Sequence, residues 1–596
     1  MIRRNPLRSR IIIFTMLCTV ACPLFRAAGQ GTPVSSYLSP AKPGYYRFPL
    51  DLPKHLSANF GELRTDHFHA GIDVKTGNVE GHPVRAAAAG YVARVVVNPS
   101  GYGRAAYIAH PNGTTTLYGH LQRFFPELEK WVIDEMYRRQ RWKTDLTPEP
   151  ERFPLKQGEE VGLAGNSGMS LGPHLHFEIR ETASQRVVNL LALGIYEVKD
   201  NLPPVIGNLY WIGVDTVRGV PVQAVPQQIA VCKAAGNHYT ADPEKRVEIT
   251  PCGYFVVEAI DRKDDSPSNT MGIYRIMAAL DGKPYFEMRK DHLLFTDMRY
   301  ANSMSFYPLQ RGARMEFYRI AVQQGNKAPV YHGVKNRGVI ALADTLPHDV
   351  AIEVQDDHGN TSRVTFTVVR SAESSAAIGS EEPVAEYDKN FVSDRDGVRI
   401  TIPPKALYES IFYTQRIDST FVKKSAPSVL LLSPLYAIHS DDVPLHKSVT
   451  VEIRAEIPLA LREKVALARV ARDGKVSYAG GSWHPGKVAA EVSSFANYCI
   501  VADTLPPAIT PLFTSGADLQ DKTSISFTID DDFSGIADYR ATIDGQWALF
   551  EYDRLKKRIT CNFRTFRFAK TGSHTIRLEV TDNKGNRNLY QGKFIK

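Results

Sequence analysis

The chain has 596 residues, of which 43% are hydrophobic and 23% charged, the balance of an ordinary globular protein. This length predicts about three to five domains. The formal net charge is +8, but residues 1–30 hold five arginines and no acidic residue, so the rest of the chain carries only +3. A charge that small gives no support to a nucleic-acid-binding function.

Residues 1–30 are predicted to be a secretory signal peptide. Arginines precede an apolar stretch from Ile11 to about Phe25, which is too short to span a bilayer comfortably, and small residues at 27–29 suit cleavage. Lipidation at Cys22 is the weaker alternative, because the residues before it fit a lipobox poorly. No later segment has an uninterrupted apolar run long enough to span a membrane. We therefore expect an exported protein of the periplasm or cell envelope, with no transmembrane helix in its mature form.

Residues 31–200 are predicted to form an antiparallel β domain with a helical insertion. Short strand-like runs, among them AAYIAH and HLHFEI, alternate with turn sequences such as PNGT and GNSG. Within an insertion at about 122–152, residues 126–142 have apolar side chains at roughly helical spacing, and Pro126 suits a helix start. The insertion could be an autoinhibitory lid, an element that docks a partner, or decoration.

Beyond residue 200 the sequence predicts immunoglobulin-like β-sandwich modules, two of which repeat one pattern. NLPPVI (201–206) recurs as TLPPAI (504–509), and AIEVQDDHGN (351–360) recurs as RLEVTDNKGN (577–586). Alternating strands with DG, NG and GN turns favour β-sandwiches. The predicted units are a module with insertions at 201–370, a small polar linker at 371–386, a module at 387–503 and a C-terminal module at 504–596.

The module at 387–503 has its own character. It opens with VRITIPPKALY and closes with WHPGKVAAEVSSFANYCIVAD. These segments resemble the β-sandwich domain shared by netrin receptors and zonula occludens proteins.

Two patterns in the modules admit more than one interpretation. The DxxGN sequences at 356–360 and 582–586 contain potential calcium oxygens, but each lacks a full EF-hand loop, and a hairpin turn explains them better. Cys232 and Cys252 could form a disulfide in an oxidising compartment or remain two buried thiols.

Candidate chemistry is concentrated in three segments of the first domain: HFHAGIDVKT (67–76), YGHL (118–121) and GPHLHFEIR (172–180). Alternate residues of a strand share a face, so the two histidines of HLH point the same way, as they also would on an ordinary half-buried strand with a wet face. A catalytic zinc uses three ligands such as His nitrogen and carboxylate oxygen and leaves a fourth position to water. His69, Asp73 and one histidine of HLH would make such a set.

Together these motifs, in this order and with their flanking glycines, resemble the lysostaphin-type (LytM-like) zinc metallopeptidases, which cut bacterial peptidoglycan. The resemblance covers about residues 45–195. It implies that Zn²⁺ is the cofactor, with one set of metal ligands and one pair of catalytic histidines outside it. The implied ligands are His69, Asp73 and His176, and the implied catalytic residues are His120 and His174.

The resemblance also implies the reaction and the substrate. We expect an exported zinc metalloendopeptidase that hydrolyses peptide bonds in peptidoglycan stem peptides or cross-links, using zinc-activated water, and so remodels the cell wall. The two catalytic histidines would stabilise the oxyanion or transfer protons, in an assignment that the sequence leaves open. Glu178 could orient a ligand imidazole, although a solvent-facing carboxylate is the favoured interpretation. Asn59 could reach the site, as in relatives where an upstream asparagine blocks the zinc.

Two alternatives belong to other function classes. The first is a non-catalytic envelope protein that activates another wall hydrolase, but such proteins have typically lost zinc ligands, whereas all five functional positions are filled here. The second is an adhesion or scaffold protein whose function lies in the β modules. These modules could also bind an envelope protein partner.

Overall fold

The computed structural model describes residues 44–242, 245–372, 381–418, 429–568 and 571–596. The predicted signal peptide (1–30), with Cys22, lies outside these residues, as does half of the predicted linker (371–386). The described chain is mainly β, which confirms the predicted fold class. None of its helices is long and apolar enough to cross a membrane.

The first domain consists of short strands and a helix of 14 residues, α1 (Pro126–Arg139). Its strands are β1 (Leu56–Ala58), β2 (Ile72–Lys75), β3 (Pro83–Arg85), β4 (Gly90–Val97), β5 (Arg104–Ala109), β6 (Thr114–Gly119), β7 (Leu121–Phe124), β8 (Thr144–Leu146), β9 (Pro154–Leu155), β10 (Glu160–Ala164), β11 (His174–Glu181) and β12 (Val187–Val188).

Most of these strands form one antiparallel sheet in the order β1-β2-β11-β6-β5-β4-β8, and a smaller sheet has the order β3-β10-β7. On the interior strand β11, Leu175, Phe177 and Ile179 are fully buried on one face, as the alternation of the sequence predicts. The opposite face is not wet, however, because His176 and Glu178 are buried as well. A polar strand face that is closed to solvent needs internal partners.

Helix α1 lies inside the predicted insertion and is built as the sequence predicts. It begins at Pro126, whose missing N–H is no loss at a helix start, and it ends at Gln140, which has a left-handed φ of 48°. Leu128, Val132 and Met136 form its buried stripe. Beyond the helix, β8 pairs with β4 at the edge of the large sheet. The insertion is therefore an ordered part of the domain.

The second module is a β-sandwich with two short helices, α2 (Ala301–Met304) and α3 (Tyr307–Gln310), and 3₁₀ turns at Phe295–Tyr300 and Asn336–Gly338. Its strands are β13 (Val205–Val217), β14 (Val220–Gln223), β15 (Gln227–Ile229), β16 (Val231–Lys233), β17 (His238–Ala241), β18 (Val247–Ile249), β19 (Cys252–Lys263), β20 (Ser266–Met271), β21 (Arg275–Leu280), β22 (Lys283–Arg289), β23 (His292–Leu293), β24 (Glu316–Arg319), β25 (Tyr331–His332), β26 (Ile340–Ala341), β27 (His348–Gln355) and β28 (Thr361–Arg370).

Two sheets of this module enclose one core. Their orders are β14-β13-β19-β20 and β16-β17-β28-β27-β21-β22-β25, and Trp211, Phe255 and Ile352 meet between them. Strand β23 leaves the sandwich and pairs with β12, so the second module is attached directly to the large sheet of the first domain. Cys232 and Cys252 remain thiols, so the alternative of a disulfide between them is not realised.

The middle module is a second sandwich. Its strands are β29 (Val384–Ala385), β30 (Phe391–Arg395), β31 (Val398–Ile402), β32 (Ile411–Phe412), β33 (Gln415–Asp418), β34 (Val429–Leu431), β35 (Leu435–Ile438), β36 (Pro444–Arg454), β37 (Val465–Val470), β38 (Val476–Tyr478), β39 (Ser482–His484), β40 (Lys487–Ser494) and β41 (Ala496–Asp503), with a 3₁₀ turn at Leu459–Leu461. The two main sheets, β30-β31-β36-β40-β39 and β33-β35-β41-β37-β38, share a core that includes Ile400, Val451 and Ile500.

The C-terminal module is the third sandwich. Its strands are β42 (Ala508–Pro511), β43 (Ala517–Asp518), β44 (Ser524–Asp530), β45 (Ile536–Ile543), β46 (Gln546–Trp547), β47 (Glu551–Asp553), β48 (Arg558–Asn562), β49 (Ser573–Asp582) and β50 (Arg587–Ile595), with a 3₁₀ turn at Phe563–Thr565. Its sheets have the orders β42-β44-β48-β47 and β43-β50-β49-β45-β46. The module boundaries drawn from the sequence stay predictions.

Candidate active site and metal centre

The register of three adjacent strands brings the candidate residues together. β11 lies between β2 and β6, with His176 opposite Asp73 on one side and opposite Gly119 on the other. His120 follows β6 directly, and His174 opens β11. All five predicted site residues therefore surround one point of the sheet.

Three donor atoms converge at this point. The Nε2 atom of His69 is 3.1 Å from Asp73 Oδ1 and 3.1 Å from His176 Nδ1, and Asp73 Oδ1 is 2.8 Å from His176 Nδ1. Ligands about 2.0–2.1 Å from a tetrahedral zinc lie about 3.3 Å from one another. The observed triangle is close to one face of such a tetrahedron.

Hydrogen bonds outside the triangle fix which nitrogen of each ring carries a proton. His69 Nδ1 donates to the carbonyl oxygen of Asn59 at 2.8 Å, and His176 Nε2 donates to Glu178 Oε1 at 2.8 Å. In the neutral rings, His69 Nε2 and His176 Nδ1 then carry lone pairs that face the Asp73 carboxylate. Three lone pairs at this distance repel one another unless positive charge lies between them, so the donor set fits a divalent cation.

The pKa shifts of His176 and Asp73 also indicate that positive charge stabilises this triangle. Burial acts against it, yet hydrogen bonds and charge from Asp73 and Glu178 raise the pKa of His176 to about 9. Burial also opposes ionisation of Asp73, but the surrounding histidines hold its pKa well below its usual range. A bound metal ion would supply this charge in place of a proton.

Glu178 is an internal anchor and not the solvent-facing carboxylate that the sequence favoured. Its side chain is 0% exposed, and besides His176 it accepts from Arg180 Nε at 2.6 Å and from the Tyr102 hydroxyl at 2.6 Å. Burial opposes its charge, but Arg180 and His176 together lower the pKa of Glu178 to about 2. A permanently ionised Glu178 orients the His176 ring.

The two remaining histidines are held in the same way but do not join the triangle. His120 Nδ1 donates to the carbonyl of Ser167 at 2.8 Å, and His174 Nδ1 donates to the carbonyl of Gly172 at 2.8 Å. Their ring centroids are 4.7 Å apart. Burial, aided by the charges of His174 and His176, lowers the pKa of His120 to about 3, which leaves its ring neutral with Nε2 available as a base.

Close packing explains the glycines of the motifs. A Cβ atom on Gly71 would lie 2.3 Å from the carbonyl oxygen of Phe177, and one on Gly103 would lie 2.4 Å from Ser167. Neither contact is tolerated by a side chain, so β2 can approach β11, and the Ser167 loop can approach β5, only with glycine at these positions. These approaches place Asp73 and His120.

The site is partly open to solvent. The side chains of Asp73 and His174 are 13% and 16% exposed. Beside them, the loop before β11 presents Met169 (53% exposed) and Leu171 (96% exposed). The loop that contacts His174 through Ser170 therefore exposes two apolar side chains.

The second module supports the loop that carries His69, a role that no sequence pattern indicated. Lys290 is fully buried, and its Nζ donates to the carbonyl of Gly61 at 2.7 Å, while Glu316 Oε1 accepts from the N–H of Leu63 at 2.7 Å. The side chain of Asn59 points away from the site and donates to the carbonyl of Gly272 at 2.9 Å. Asn59 thus contributes its backbone oxygen to His69 and does not block the metal position.

Comparison with known proteins agrees with this geometry. Residues 67–132, which include His69, Asp73 and His120, match the model of Peptidase family M23, and residues 382–503 match the model of a Zu5-like domain. The first domain therefore contains a match to Peptidase family M23, and His174 and His176 lie beyond the matched residues. The match confirms the lysostaphin-type resemblance that the motifs suggested.

The M23 domain has curated relatives and solved neighbours. It is 34% identical over 118 residues to the DD-carboxypeptidase/endopeptidase Mpg of Neisseria meningitidis, covering 20% of this chain and 21% of the relative. It is 31% identical over 141 residues to the peptidoglycan DD-endopeptidase ShyC of Vibrio cholerae, covering 23% and 27%. A zinc-containing peptidase from Vibrio cholerae is 26% identical, covers 23% of this chain and 36% of that one, and superposes with a TM-score of 0.17. The chain thus spans only about a fifth to a quarter of the length of these curated relatives, and a TM-score this low adds nothing to the assignment.

Proposed function

We propose that this protein is an exported zinc metalloendopeptidase that hydrolyses peptide bonds of peptidoglycan during cell-wall remodelling. The observation that carries the proposal is the triangle of His69 Nε2, Asp73 Oδ1 and His176 Nδ1, with each imidazole held in the tautomer that a metal requires. Such a site, open on one side, is the arrangement expected of a catalytic zinc.

Zinc fits the donors better than calcium or magnesium would, because two of the three atoms are imidazole nitrogens. When bound, zinc supplies a Lewis acid for the scissile carbonyl and makes water a nucleophile near neutral pH. His69, Asp73 and His176 would hold the ion. Glu178 and the Asn59 carbonyl would keep the two rings oriented toward it.

His120 and His174 are proposed to handle protons and developing negative charge. Their Nδ1–H groups are engaged by backbone carbonyls, so the Nε2 atoms are the ones available to substrate. A neutral Nε2 can take the proton of the attacking water, and the resulting imidazolium can give it to the leaving amine. The other ring can donate from its Nε2 to the oxyanion when it is an imidazolium, because its Nδ1–H stays on the backbone carbonyl. The two rings differ in their surroundings: His174 Nε2 lies 3.5 Å from Asp73 Oδ1, whereas burial lowers the pKa of His120 to about 3 and keeps its ring neutral. His120 is therefore the proposed base, and His174 the proposed donor to the oxyanion.

The proposed substrate is a D,D-peptide bond in stem peptides or cross-links. Support comes from the relatives, which are named DD-carboxypeptidase/endopeptidase and peptidoglycan DD-endopeptidase. The exposed apolar side chains of Met169 and Leu171 suit a short peptide with small aliphatic side chains. Residues 1–30 support export to the periplasm or envelope.

The complete set of five site residues argues against the non-catalytic alternative. An activator of another hydrolase has no need of a complete set of donors with fixed tautomers. Here all five side chains are in place, and two of them keep access to solvent.

The test uses the full chain on purified sacculi. We expect one equivalent of zinc by metal analysis and, by mass spectrometry of muropeptides, conversion of cross-linked muropeptides into uncross-linked ones. A chelator should stop this conversion, and added zinc should restore it. The matched variant is Asp73→Asn, which keeps the shape of the ligand and removes its charge. A protein that holds no zinc and leaves the muropeptides unchanged would contradict the proposal.

A further inference from the structure

A second group of acidic side chains lies far along the chain, where the middle and C-terminal modules meet. Asp503 ends β41, Asp531 follows β44, and Asp582 ends β49. Each offers a carboxylate oxygen within 4.8 Å of those of the other two. Asp503 is 0% exposed and Asp582 is 2% exposed.

Asp503 has no counter-charge in this group. Both of its carboxylate oxygens are buried and neither accepts a well-formed hydrogen bond among the described residues, although the Ser534 hydroxyl and the Leu505 N–H lie close enough to stabilise its charge in part. Within the same ranges, no Lys, Arg or His nitrogen forms an ion pair with Asp503, Asp531 or Asp582. A buried carboxylate without compensation is strongly unfavourable. Burial accordingly raises the pKa of Asp503, the Ser534 hydroxyl opposes this shift in part, and the charges of Asp531 and Asp582 add to it.

The lysines near the group are directed elsewhere. Lys584 Nζ donates to the carbonyl of Gly481 at 3.1 Å, and Lys464 Nζ donates to the carbonyl of Lys584 at 3.0 Å. Both ammonium groups therefore bind backbone oxygens and form no ion pair with the three carboxylates, although the charges of Asp503 and Asp582 act on Lys584. Asp531 accepts from the N–H of Gly535 and Asp582 from the N–H of Asn586, and these bonds orient the two carboxylates without neutralising them.

The repeated module contains the same position in an earlier copy. Asp200 precedes NLPP as Asp503 precedes TLPP. In the turns that follow β27 and β49, Asn360 Nδ2 donates to the carbonyl of Asp200 at 3.2 Å, and Asn586 Nδ2 donates to that of Asp503 at 3.0 Å. The DxxGN turns thus dock in the same way in both copies, with Asp356 equivalent to Asp582.

Strand register supplies the third equivalence. Val205 pairs with Ile260 in the earlier copy, and Ala508 pairs with Asp530 in the later one. Asp261 follows Ile260, and Asp531 follows Asp530, so the two aspartates occupy equivalent positions. The three aspartates of the C-terminal site therefore each have a counterpart.

The two copies differ in what neutralises the aspartates. In the earlier copy, the buried Lys263 Nζ lies 2.6 Å from Asp200, 3.4 Å from Asp261 and 2.5 Å from Asp357. By the same register, the counterpart of Lys263 is Phe533, which packs edge-on against Tyr478 of the middle module at 5.6 Å. The earlier copy thus carries a buried lysine at this position, and the later copy has phenylalanine there.

We propose that Asp503, Asp531 and Asp582 bind a Ca²⁺ ion that takes the place of the missing ammonium. All three donors are hard carboxylate oxygens, which calcium prefers, and the absence of His and Cys from the group disfavours zinc. Asp503 belongs to the middle module and the other two to the C-terminal module, so the ion would join the two. The hairpin turn at 582–586 and a calcium site are then compatible, since the turn orients Asp582.

The test measures calcium binding by the calcium-depleted full chain, using equilibrium dialysis with radioactive Ca²⁺, and thermal unfolding with and without CaCl₂. We expect one equivalent to bind with a Kd of about 10⁻⁴–10⁻³ M, the range of extracellular calcium modules, and the unfolding temperature to rise with calcium. Asp503→Asn should weaken binding at least about tenfold, because ligand charge sets affinity in such sites. Asp553→Asn, an exposed aspartate of the same module paired with Lys556, is the matched control and should bind like wild type.

The stability of the calcium-free proteins gives a second, independent readout. Asp503→Asn removes an unpaired buried charge, so without calcium this variant should unfold at the same temperature as wild type or higher, and it should gain nothing when calcium is added. Asp531→Asn is expected to lose the calcium response in the same way. No binding by wild type, equal binding by Asp503→Asn, or tighter binding of Mg²⁺ than of Ca²⁺ would overturn the assignment. None of these readouts depends on peptidase activity.

Discussion

Glu178→Gln tests whether the buried carboxylate behind His176 controls the metal site. The substitution keeps the shape of the side chain but removes the charge that accepts from His176 Nε2 at 2.8 Å and from Arg180 Nε at 2.6 Å. Loss of an outer partner of a ligand histidine lowers metal affinity about 10- to 100-fold, which corresponds to about 1.4–2.8 kcal/mol.

The variant also leaves Arg180, 4% exposed, without its counter-charge. We expect the metal-free protein to lose about 3 kcal/mol of unfolding free energy, the lower end for a broken buried pair, because Gln still offers an oxygen.

Two measurements separate these effects. Competition with a chromogenic chelator gives the zinc affinity of the folded protein, and urea unfolding of the metal-free protein gives its stability. Glu181→Gln is the matched control, since Glu181 lies on the same strand but pairs with Ser184 at its end. A folded Glu178→Gln variant with the zinc affinity of wild type would refute the assigned role of Glu178.

Three further predictions concern the ligands, the catalytic pair and the helix. His69→Ala and Asp73→Ala should each lower zinc content by metal analysis, because each removes one of three donors; unchanged stoichiometry would contradict the ligand assignment. His120→Ala should keep zinc and lose about 10²-fold or more in turnover of a cross-linked peptide, the usual scale for one proton-transferring group; near-wild-type turnover would exclude His120 from the chemistry. If helix α1 is a docking element for the C-terminal module, the double variant Tyr137→Ala/Trp142→Ala should increase proteolysis of residues 504–596 without raising hydrolysis of small peptides, whereas an autoinhibitory lid should give a faster rate.

The contacts of helix α1 and of Trp142, just after it, explain why we favour a docking element for the C-terminal module over a lid. Tyr137 donates its hydroxyl to the carbonyl of Thr565 at 3.0 Å, and Trp142 stacks on Tyr539 at 6.2 Å between ring centroids. Arg104, 5% exposed, lies between Glu129 of the helix and Glu551 of the C-terminal module, at 3.0 and 2.7 Å. The insertion therefore faces another part of its own chain, which is a partner that periodicity in the sequence had no means of identifying.

The sequence predicted the elements of the metal site better than their surroundings. Alternation along HLHFEIR was enough to place His174, His176 and Glu178 on one face, because strand geometry is local. Arg180 continues the same alternation, but its internal pair with Glu178 was not predicted, because a solvent-facing Glu178 was the favoured interpretation. Local pattern could not show which residues distant in sequence would contact this face, such as Tyr102, whose hydroxyl donates to Glu178.

The calcium hypothesis has a similar history. The DxxGN turns were recognisable, and a hairpin is what they form. The sequence could not show the tertiary contact that brings Asp503 and Asp531 close to the turn at 582–586. The difference between Lys263 and Phe533 becomes informative only after strand register shows that they occupy equivalent positions.

The second module supports the candidate metal site, so an isolated first domain would lack some of the contacts that hold the site together. The loop that carries His69 is held by Lys290 and Glu316, and Asn59 is anchored on Gly272, all from beyond residue 200. Removing that module would expose the buried face of the loop and take away the anchor of the Asn59 side chain. The Asn59 carbonyl, which fixes the His69 tautomer, would then be held less firmly. Weak zinc binding by an isolated 31–200 fragment would therefore not argue against a zinc enzyme, and substitutions in the full chain are the sounder way to test its chemistry.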